Sequence, residues 1–347
     1  MKHYIITNRE IKTNAQGKET INNDGKENAS DSLRFGHFDS SEIKKKEDLK
    51  KITLYKDLGN NISYDFGADA KNLKGSAAFF NDLYKSMNTK DNVANDVLVY
   101  IHGFNNDLMA AIEQVKQLEE AYVHANSPIK HIVLFTWPSC KSLVDYRPDA
   151  RDAEISGYAL GRAFMKLSKF FDEFFGEHEN DECDNNIHLM CQSMGNRVWE
   201  NAVQMILEQG GTTKLFNQII LTGCDIDNTA LEPPNPLSKI IYFCKRAHIY
   251  YDVNDKALGI SQTTKNSIDR LGKTGPHNNK TIPKNVYVVD TSEVSDIKGT
   301  QEKLVRHWNF RSSGSVIKDM TAVLKGEHSE RITQREYLMN KEEFRLR

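Results

Sequence analysis

Between residues 96 and 290, short apolar runs alternate with longer segments whose apolar residues recur at helical spacing. Continuous apolar runs are typical of strands that are covered on both faces of a sheet. The alternation therefore predicts an α/β fold with a mostly parallel central sheet and helices on both faces. The predicted strands are 97–101, 132–135, 187–190, 218–222, 247–251 and 286–289, and the predicted helices are 108–126, 152–175 and 196–209.

The flanking parts of the chain are less regular. A polar stretch at 12–32, rich in Asn, Lys, Glu and Gly, is predicted to be a long hairpin loop or a flexible excursion. We predict a single domain over residues 1–325, with N-terminal strands and this excursion in 1–90 and the regular α/β core in 96–320. The charged residues 326–347 are predicted to form a peripheral helix or a tail.

Two insertions interrupt the regular order. Residues 232–236 and 263–283 are rich in Pro, Gly, Asn and Lys. We predict surface loops at both, and a lid or substrate loop is the alternative, since such segments often carry function.

Composition and charge exclude several classes of protein. The formal net charge is −2, so nothing favours nucleic acid or an anionic membrane as a partner. No apolar run is long enough to span a membrane, and the N-terminal run is too short for a signal peptide. The five cysteines are scattered and lack CxxC spacing, which argues against a disulfide framework and a zinc site. We expect a cytoplasmic protein without a metal or cofactor, and leave open delivery by a route that needs no signal.

A serine-centred turn follows the predicted strand 187–190. Cys191-Gln192-Ser193-Met194-Gly195 leads directly into the helix 196–209. A strand–turn–helix of this kind lifts the serine hydroxyl above the sheet edge and aims the next N–H at a developing oxyanion. The motif predicts Ser193 as a nucleophile and the N–H of Met194 as an oxyanion donor. A serine that begins a helix is also often only an N-cap, so other motifs must support this interpretation.

A second turn follows the strand 97–101. It reads His102-Gly103-Phe104-Asn105-Asn106. This is the usual position of the second oxyanion donor in a serine hydrolase of the α/β type. Gly103 allows the backbone to approach a substrate closely, and the N–H of Phe104 is the predicted donor.

A serine nucleophile needs a base and an orienting carboxylate, which follow it in the order acid, then histidine. Asp255 lies in the loop just after the strand 247–251 and is our first choice for the acid. Asp252 is still close to that strand. Asp225 and Asp227, after the strand 218–222, are the alternatives.

Three histidines follow Asp255 in the chain. His277 lies in a polar insertion before the last predicted strand, and His328 lies in the charged C-terminal segment. His307 comes after the last strand and before a helix-like segment, so we predict it as the base.

Together these residues resemble the α/β-hydrolase superfamily, and more narrowly a bacterial branch of α/β hydrolases of unassigned function. The resemblance covers roughly residues 1–320. It implies a cofactor-free serine hydrolase with Ser193, Asp255 and His307 as the triad, and no particular substrate. Cys191 departs from the usual glycine of the turn. The motifs that carry the resemblance are Thr7-Asn8-Arg9, 99–105, Phe135-Thr136-Trp137-Pro138-Ser139, Tyr146 with Asp149 or Asp152, the Ser193 turn, 224–227 and 254–258.

We expect cleavage of an acyl bond in a carboxylester, thioester or lipid ester, with a small molecule or a lipid as substrate and no known protein partner. The predicted substrate-binding residues are His102, Gly103, Trp137, Asp227 and Trp308. Amide or peptide cleavage by the same triad is one alternative, and a non-catalytic binding module with a hydrolase fold is another. A metal held by the acidic run 177–184 is a weaker alternative, because the run is typical of a solvated loop.

Overall fold

The computed structural model describes residues 1–24, 33–56, 73–88, 95–139, 146–177, 185–264 and 268–347. The side chains of 146–148, 172–177 and 263–264 are not described. The strands are β1 (Lys2–Thr7), β2 (Ile11–Thr13), β3 (Glu19–Ile21), β4 (Arg34–Asp39), β5 (Thr53–Leu54), β6 (Asp96–Ile101), β7 (Ile129–Thr136), β8 (Ile187–Gln192), β9 (Phe216–Thr222), β10 (Cys244–Tyr251), β11 (Val286–Asp290), β12 (Arg335–Leu338) and β13 (Glu343–Leu346). The α-helices are α1 (Gly75–Met87), α2 (Leu108–Tyr122), α3 (Tyr146–Glu177), α4 (Gly195–Glu208), α5 (Lys256–Thr264), α6 (Leu271–Thr274), α7 (Thr300–Val305), α8 (Asn309–Ser312) and α9 (Gly314–Leu324).

Within these residues, eleven strands form one sheet in the order β12-β13-β11-β10-β9-β8-β6-β7-β1-β4-β5. The eight strands from β13 to β1 are joined by parallel pairings, and antiparallel strands β12, β4 and β5 lie at the two edges. The mostly parallel sheet predicted from the apolar runs is therefore confirmed.

Helices cover both faces of the sheet. Alternate residues of β6 enter opposite cores: Val99 packs in the core beneath α1, α3 and α4, whereas Tyr100 packs in the core beneath α2 and α9. Burial on both sides explains why this strand has no polar alternation in the sequence. Each core excludes water from one side of the sheet, so polar groups gather beyond the carboxyl ends of the strands.

Several boundaries differ from the prediction. The helix expected at 152–175 begins at Tyr146 and ends at Glu177, and the helix expected at 108–126 ends at Tyr122. The polar stretch near the N-terminus contains the hairpin β2–β3, and residues 25–32 lie outside the described part.

The C-terminal segment differs most from the prediction. Instead of a peripheral helix or tail, residues 335–346 form β12 and β13, and β13 extends the central sheet alongside β11. Phe344 and Leu346 are buried in the core. This segment therefore belongs to the body of the fold.

Of the two insertions, the second is bound to the loop that follows β9. Leu271 is buried, and its N–H donates to the carbonyl of Ile226. In the described part of the chain, no helix is long and apolar enough to cross a membrane.

Candidate active site

Ser193 occupies a strained turn between β8 and α4. Its φ is +53°, in the left-handed region that residues other than glycine rarely adopt. The turn lies so close to the end of β6 that a Cβ on Gly195 would meet the Ile101 carbonyl oxygen at 2.5 Å. Cys191 is fully buried, so the position tolerates a small side chain in place of glycine.

The carbonyl oxygen of Ser193 is held inside the protein. It accepts hydrogen bonds from the backbone N–H and side-chain amide of Asn196, at 3.1 and 2.9 Å, and from the N–H of Asp225 at 3.2 Å. In a trans peptide the C=O and the following N–H point in opposite directions. Met194 is the N-cap residue of α4, and its N–H therefore points away from these three donors.

His307 and Asp255 form a buried pair. The Nδ1 of His307 lies 2.6 Å from the Oδ2 of Asp255, and both side chains are more than nine-tenths buried. The other carboxylate oxygen accepts the N–H of Leu258 in the first turn of α5, which fixes the carboxylate. The Asp255 carboxylate can only accept a hydrogen bond, so Nδ1 of His307 carries a proton. In the neutral imidazole, Nε2 is therefore the nitrogen that accepts.

Two effects act on the protonation of His307. Burial lowers the pKa of the imidazole, and the charge and hydrogen bond of Asp255, with a further contribution from Asp225, raise it by more. The net pKa of His307 lies above its ordinary value of 6.5.

Gln192 binds the opposite nitrogen of the same ring. Its Nε2 lies 3.0 Å from the Nε2 of His307, so the amide N–H donates to the lone pair that a serine hydroxyl would use. Sequence reasoning missed this contact, because Gln192 is the last residue of β8 and nothing in the motif indicates where its side chain turns.

Asp252 accepts hydrogen bonds from one residue before His307 and from one residue after it. Its Oδ2 accepts from Arg306 Nε and from Asn309 Nδ2, both at 2.8 Å. Asp252, one alternative for the acid, thus binds the residue before His307 and the second residue after it, and holds the loop that carries the histidine. Asp225, another alternative, is buried and accepts from Ser261 at 3.0 Å.

One cavity connects these groups. Its volume is about 600 Å³, and Phe104, Ser193, His307 and Trp308 all line it. Asp225 and Gln192 are among its polar lining residues, and Ala257, Leu258 and Ile260 are among its apolar ones. The arrangement therefore brings the predicted nucleophile, base and one oxyanion residue to the same solvent-accessible space.

The loop after β6 is also fixed from within. The Gly103 carbonyl accepts from His102 Nδ1 at 2.8 Å and from Asn106 Nδ2 at 3.0 Å. A Cβ on Gly103 would lie 2.7 Å from the Cβ of Ser193, so only glycine allows the loop to pass this close to the turn.

A family model described as "Alpha/beta hydrolase of unknown function (DUF900)" matches residues 77–325. The chain belongs to this family. The fold and superfamily predicted from the sequence are therefore confirmed, and at this coarse level family membership supports hydrolase activity.

No curated protein matches the chain. Among solved structures, the chain is similar to "Phospholipase PlaB from Legionella pneumophila in complex with thio-NAD", with 9% identity and a TM-score of 0.32. The similarity covers 70% of this chain and 65% of the phospholipase chain, which is less than two thirds of its length.

Of the five predicted substrate-binding residues, Trp308 lines the cavity, and four do not: His102, Gly103, Trp137 and Asp227. Trp137 is fully buried, stacks on His102 with ring centroids 5.3 Å apart and donates to the His102 carbonyl. His102 is itself fully buried beneath the loop. Asp227 pairs with Arg270 at 2.7 Å and lines a different cavity. In this structure Trp137, His102 and Asp227 contact neighbouring parts of the fold, and their role in substrate contact stays a prediction.

The other histidines lie elsewhere. His277 is exposed and pairs with Glu232 at 3.1 Å, and His328 precedes a short 3-10 helix near the C-terminus. The described residues contain no group of three or more His, Cys, Asp or Glu side chains arranged to hold a metal. The acidic run that we weighed as a metal site falls at 177–184, outside the described side chains.

Proposed function

We propose that this α/β hydrolase cleaves acyl esters, including thioesters and lipid esters, through a serine acyl-enzyme. The observation that carries the proposal is the buried His307–Asp255 pair, whose histidine lines the same cavity as Ser193. A left-handed serine backbone is costly, and such strain is typical of functional positions.

In the proposed reaction, Ser193 Oγ attacks the acyl carbonyl while His307 Nε2 takes the hydroxyl proton. The resulting oxyanion is held by the N–H groups of Met194 and Phe104, and Asp255 stabilises the imidazolium. His307 then gives the proton to the departing alcohol or thiol. Water enters, loses a proton to His307, and releases the carboxylic acid with Ser193 restored. This chemistry needs no cofactor.

The lining of the cavity supports an acyl substrate. Phe104, Leu258 and Trp308 offer apolar surface, whereas Gln301, Glu302 and Arg311 lie among the polar lining residues. An ester with a short or medium apolar acyl group and a polar leaving group matches both kinds of surface.

Labelling with a fluorophosphonate probe, followed by peptide mapping, tests the proposal. We expect modification at Ser193 and none at Ser261, which lines the same cavity but donates to Asp225. Ser193→Ala should abolish labelling and lower ester turnover by about 10⁶. Ser168→Ala removes a buried hydroxyl on α3 and controls for folding. Turnover within tenfold of wild type in Ser193→Ala would exclude Ser193 as the nucleophile.

A second candidate is a non-catalytic binding module, and the Gln192–His307 hydrogen bond favours it, since it occupies the nitrogen that the reaction needs. The same labelling experiment distinguishes the two. A folded wild-type protein that resists the probe over a range of pH values would support the binding module. Amide cleavage uses the same residues and is distinguished by comparing matched ester and amide substrates.

A further inference from the structure

A chain of buried hydrogen bonds runs from Arg9 to the loop that carries Phe104. Arg9 follows β1, is fully buried, and its Nε donates to Thr136 Oγ1 at 2.8 Å. Thr136 Oγ1 lies 3.1 Å from His102 Nε2, and His102 Nδ1 lies 2.8 Å from the Gly103 carbonyl oxygen. Arg9 also donates to the Asn106 carbonyl at 2.8 Å, at the far end of the same loop.

The direction of every bond in this chain is determined by chemistry. A carbonyl oxygen only accepts, so His102 Nδ1 carries a proton. Burial first, and the charge of Arg9 second, lower the pKa of His102 to about 3, so the ring is neutral and Nε2 accepts. Nε2 of His102 therefore has no proton to give, and the Thr136 hydroxyl, which accepts from Arg9, donates its own proton to this nitrogen. The backbone N–H of Trp137 also donates to the same nitrogen, at 3.3 Å. All donors thus point from the guanidinium toward Gly103.

The last acceptor belongs to the peptide that holds the Phe104 N–H. Since the peptide is trans, a Gly103 oxygen directed at His102 and Asn106 turns the Phe104 N–H to the opposite side. Hydrogen bonds in a chain polarise one another, and each donation to a peptide oxygen makes the N–H of that peptide a better donor.

We infer that Arg9, Thr136 and His102 form a positioning relay that orients and polarises the Phe104 N–H as an anion donor. The three residues act through the Gly103–Phe104 peptide and touch no substrate. The inference rests on the proposed function for its catalytic consequence, since only an oxyanion-forming reaction uses such a donor. Its structural part, a polarised peptide, can be tested without any substrate.

Gly103-Phe104 is the only Gly-Phe dipeptide in the chain, which makes this peptide directly observable. Protein labelled with [1-¹³C]glycine and [¹⁵N]phenylalanine should give a single HNCO cross-peak. In Thr136→Val, which removes the bridging hydroxyl, we expect the Gly103 carbonyl carbon and the Phe104 amide proton both to shift upfield. Thr136→Ser should restore the wild-type position.

The matched control is Thr321→Val. Thr321 is a buried residue of α9, and its hydroxyl donates to the Ile317 carbonyl at 2.7 Å, away from Arg9, Thr136 and His102. We expect the Gly103–Phe104 cross-peak of this variant to stay at the wild-type position. A wild-type peak position in Thr136→Val, or an equal shift in Thr321→Val, would overturn the relay.

Kinetics test the catalytic consequence. Loss of a whole oxyanion donor costs about 10²–10³ in kcat, and we expect Thr136→Val, which only weakens one, to lower kcat about tenfold with KM unchanged. A shifted cross-peak with unchanged kcat in an active enzyme would overturn the catalytic role. If wild-type protein neither turns over esters nor reacts with the probe, the proposed function fails, whereas the cross-peak still decides the relay.

Discussion

Two side chains act on opposite nitrogens of one imidazole. Asp255 accepts from Nδ1 of His307 and favours its charged form, whereas Gln192 donates to Nε2 and favours its neutral form. The protonation state of His307, and thus the pH range of the proposed reaction, is a balance between these two contacts and burial.

Removing the carboxylate should disturb that balance in a defined direction. In Asp255→Asn, the charge that raises the pKa of His307 is gone, and burial, which lowers this pKa, dominates. The pKa of His307 therefore falls, and the acid limb of the pH–rate profile moves to lower pH. The plateau rate should drop by about 10⁴, because the tautomer that Asp255 selects is lost. The pH dependence of fluorophosphonate labelling measures both effects. Asp227→Asn is the control, and a larger loss there would mean that the acid is misassigned.

Releasing the other nitrogen should have the opposite effect on rate. Gln192→Met keeps the volume but removes the donor, which leaves Nε2 of His307 free for the Ser193 hydroxyl. Breaking a hydrogen bond worth about 1 kcal/mol should raise the labelling rate about fivefold. Stopped-flow labelling at pH 8 checks this. A slower variant with an unchanged melting temperature would mean that Gln192 assists the reaction.

For single residues, the sequence identified the candidate acid and base from their order along the chain. Asp255 and His307 follow late strands, so the topology alone brings them near the turn after β8. It could not identify Gln192, Asp252 or the Arg9 relay, because these roles depend on side-chain direction. The full burial of Trp137 and His102 could not be predicted for the same reason, since a motif position does not reveal which way a ring faces.

Among the elements, strands buried on both faces were the easiest to predict. β6 and β8 are continuous apolar runs, and the structure gives them nearly the predicted limits. β12 and β13 were missed because each is a segment of four residues, two of them charged, and because β12 lies at the edge of the sheet. Edge strands tolerate such charges, which also resemble those of a solvated helix.

Helix α4 carries an acid whose titration should affect stability. Burial raises the pKa of Glu200 from 4.5 to about 7, although Arg197 nearby opposes the shift. The folded state thus binds this proton more tightly than the unfolded state. The stabilisation that the protonated Glu200 adds to the folded state is complete below about pH 4.5 and is lost as pH rises through about 7.

Glu200→Gln should therefore melt at a higher temperature than wild type at pH 8, by a few degrees, with little difference at pH 5. Calorimetry across this range measures the effect. Glu208→Gln, at the exposed end of the same helix, is the matched control and should leave the pH dependence unchanged. A gain that is equal at both pH values would mean that charge burial at Glu200 is not its cause.

For the molecule as a whole, the C-terminal strands connect the sheet edge to the interior. Glu343 on β13 accepts from Tyr251 OH at 3.0 Å, and Arg335 on β12 binds both carboxylate oxygens of Asp319 on α9. Tyr251 directly precedes Asp252, which braces the histidine loop. Loss of β12 and β13 from the sheet would therefore remove a contact next to the residue that holds the His307 loop.

This connection predicts that a core truncation in β13 weakens the whole domain. Phe344 is 6% exposed, and Phe344→Ala should cost about 3 kcal/mol of unfolding free energy by removing buried apolar contacts. Met339→Ala, in the turn between β12 and β13 and 83% exposed, is the control and should change little. Urea unfolding followed by tryptophan fluorescence gives both values, since Trp137 and Trp199 lie in the core. If the residues from 326 onward were a peripheral tail, Phe344→Ala and Met339→Ala would behave alike; a cooperative loss in Phe344→Ala alone requires the C-terminal strands to unfold with the sheet.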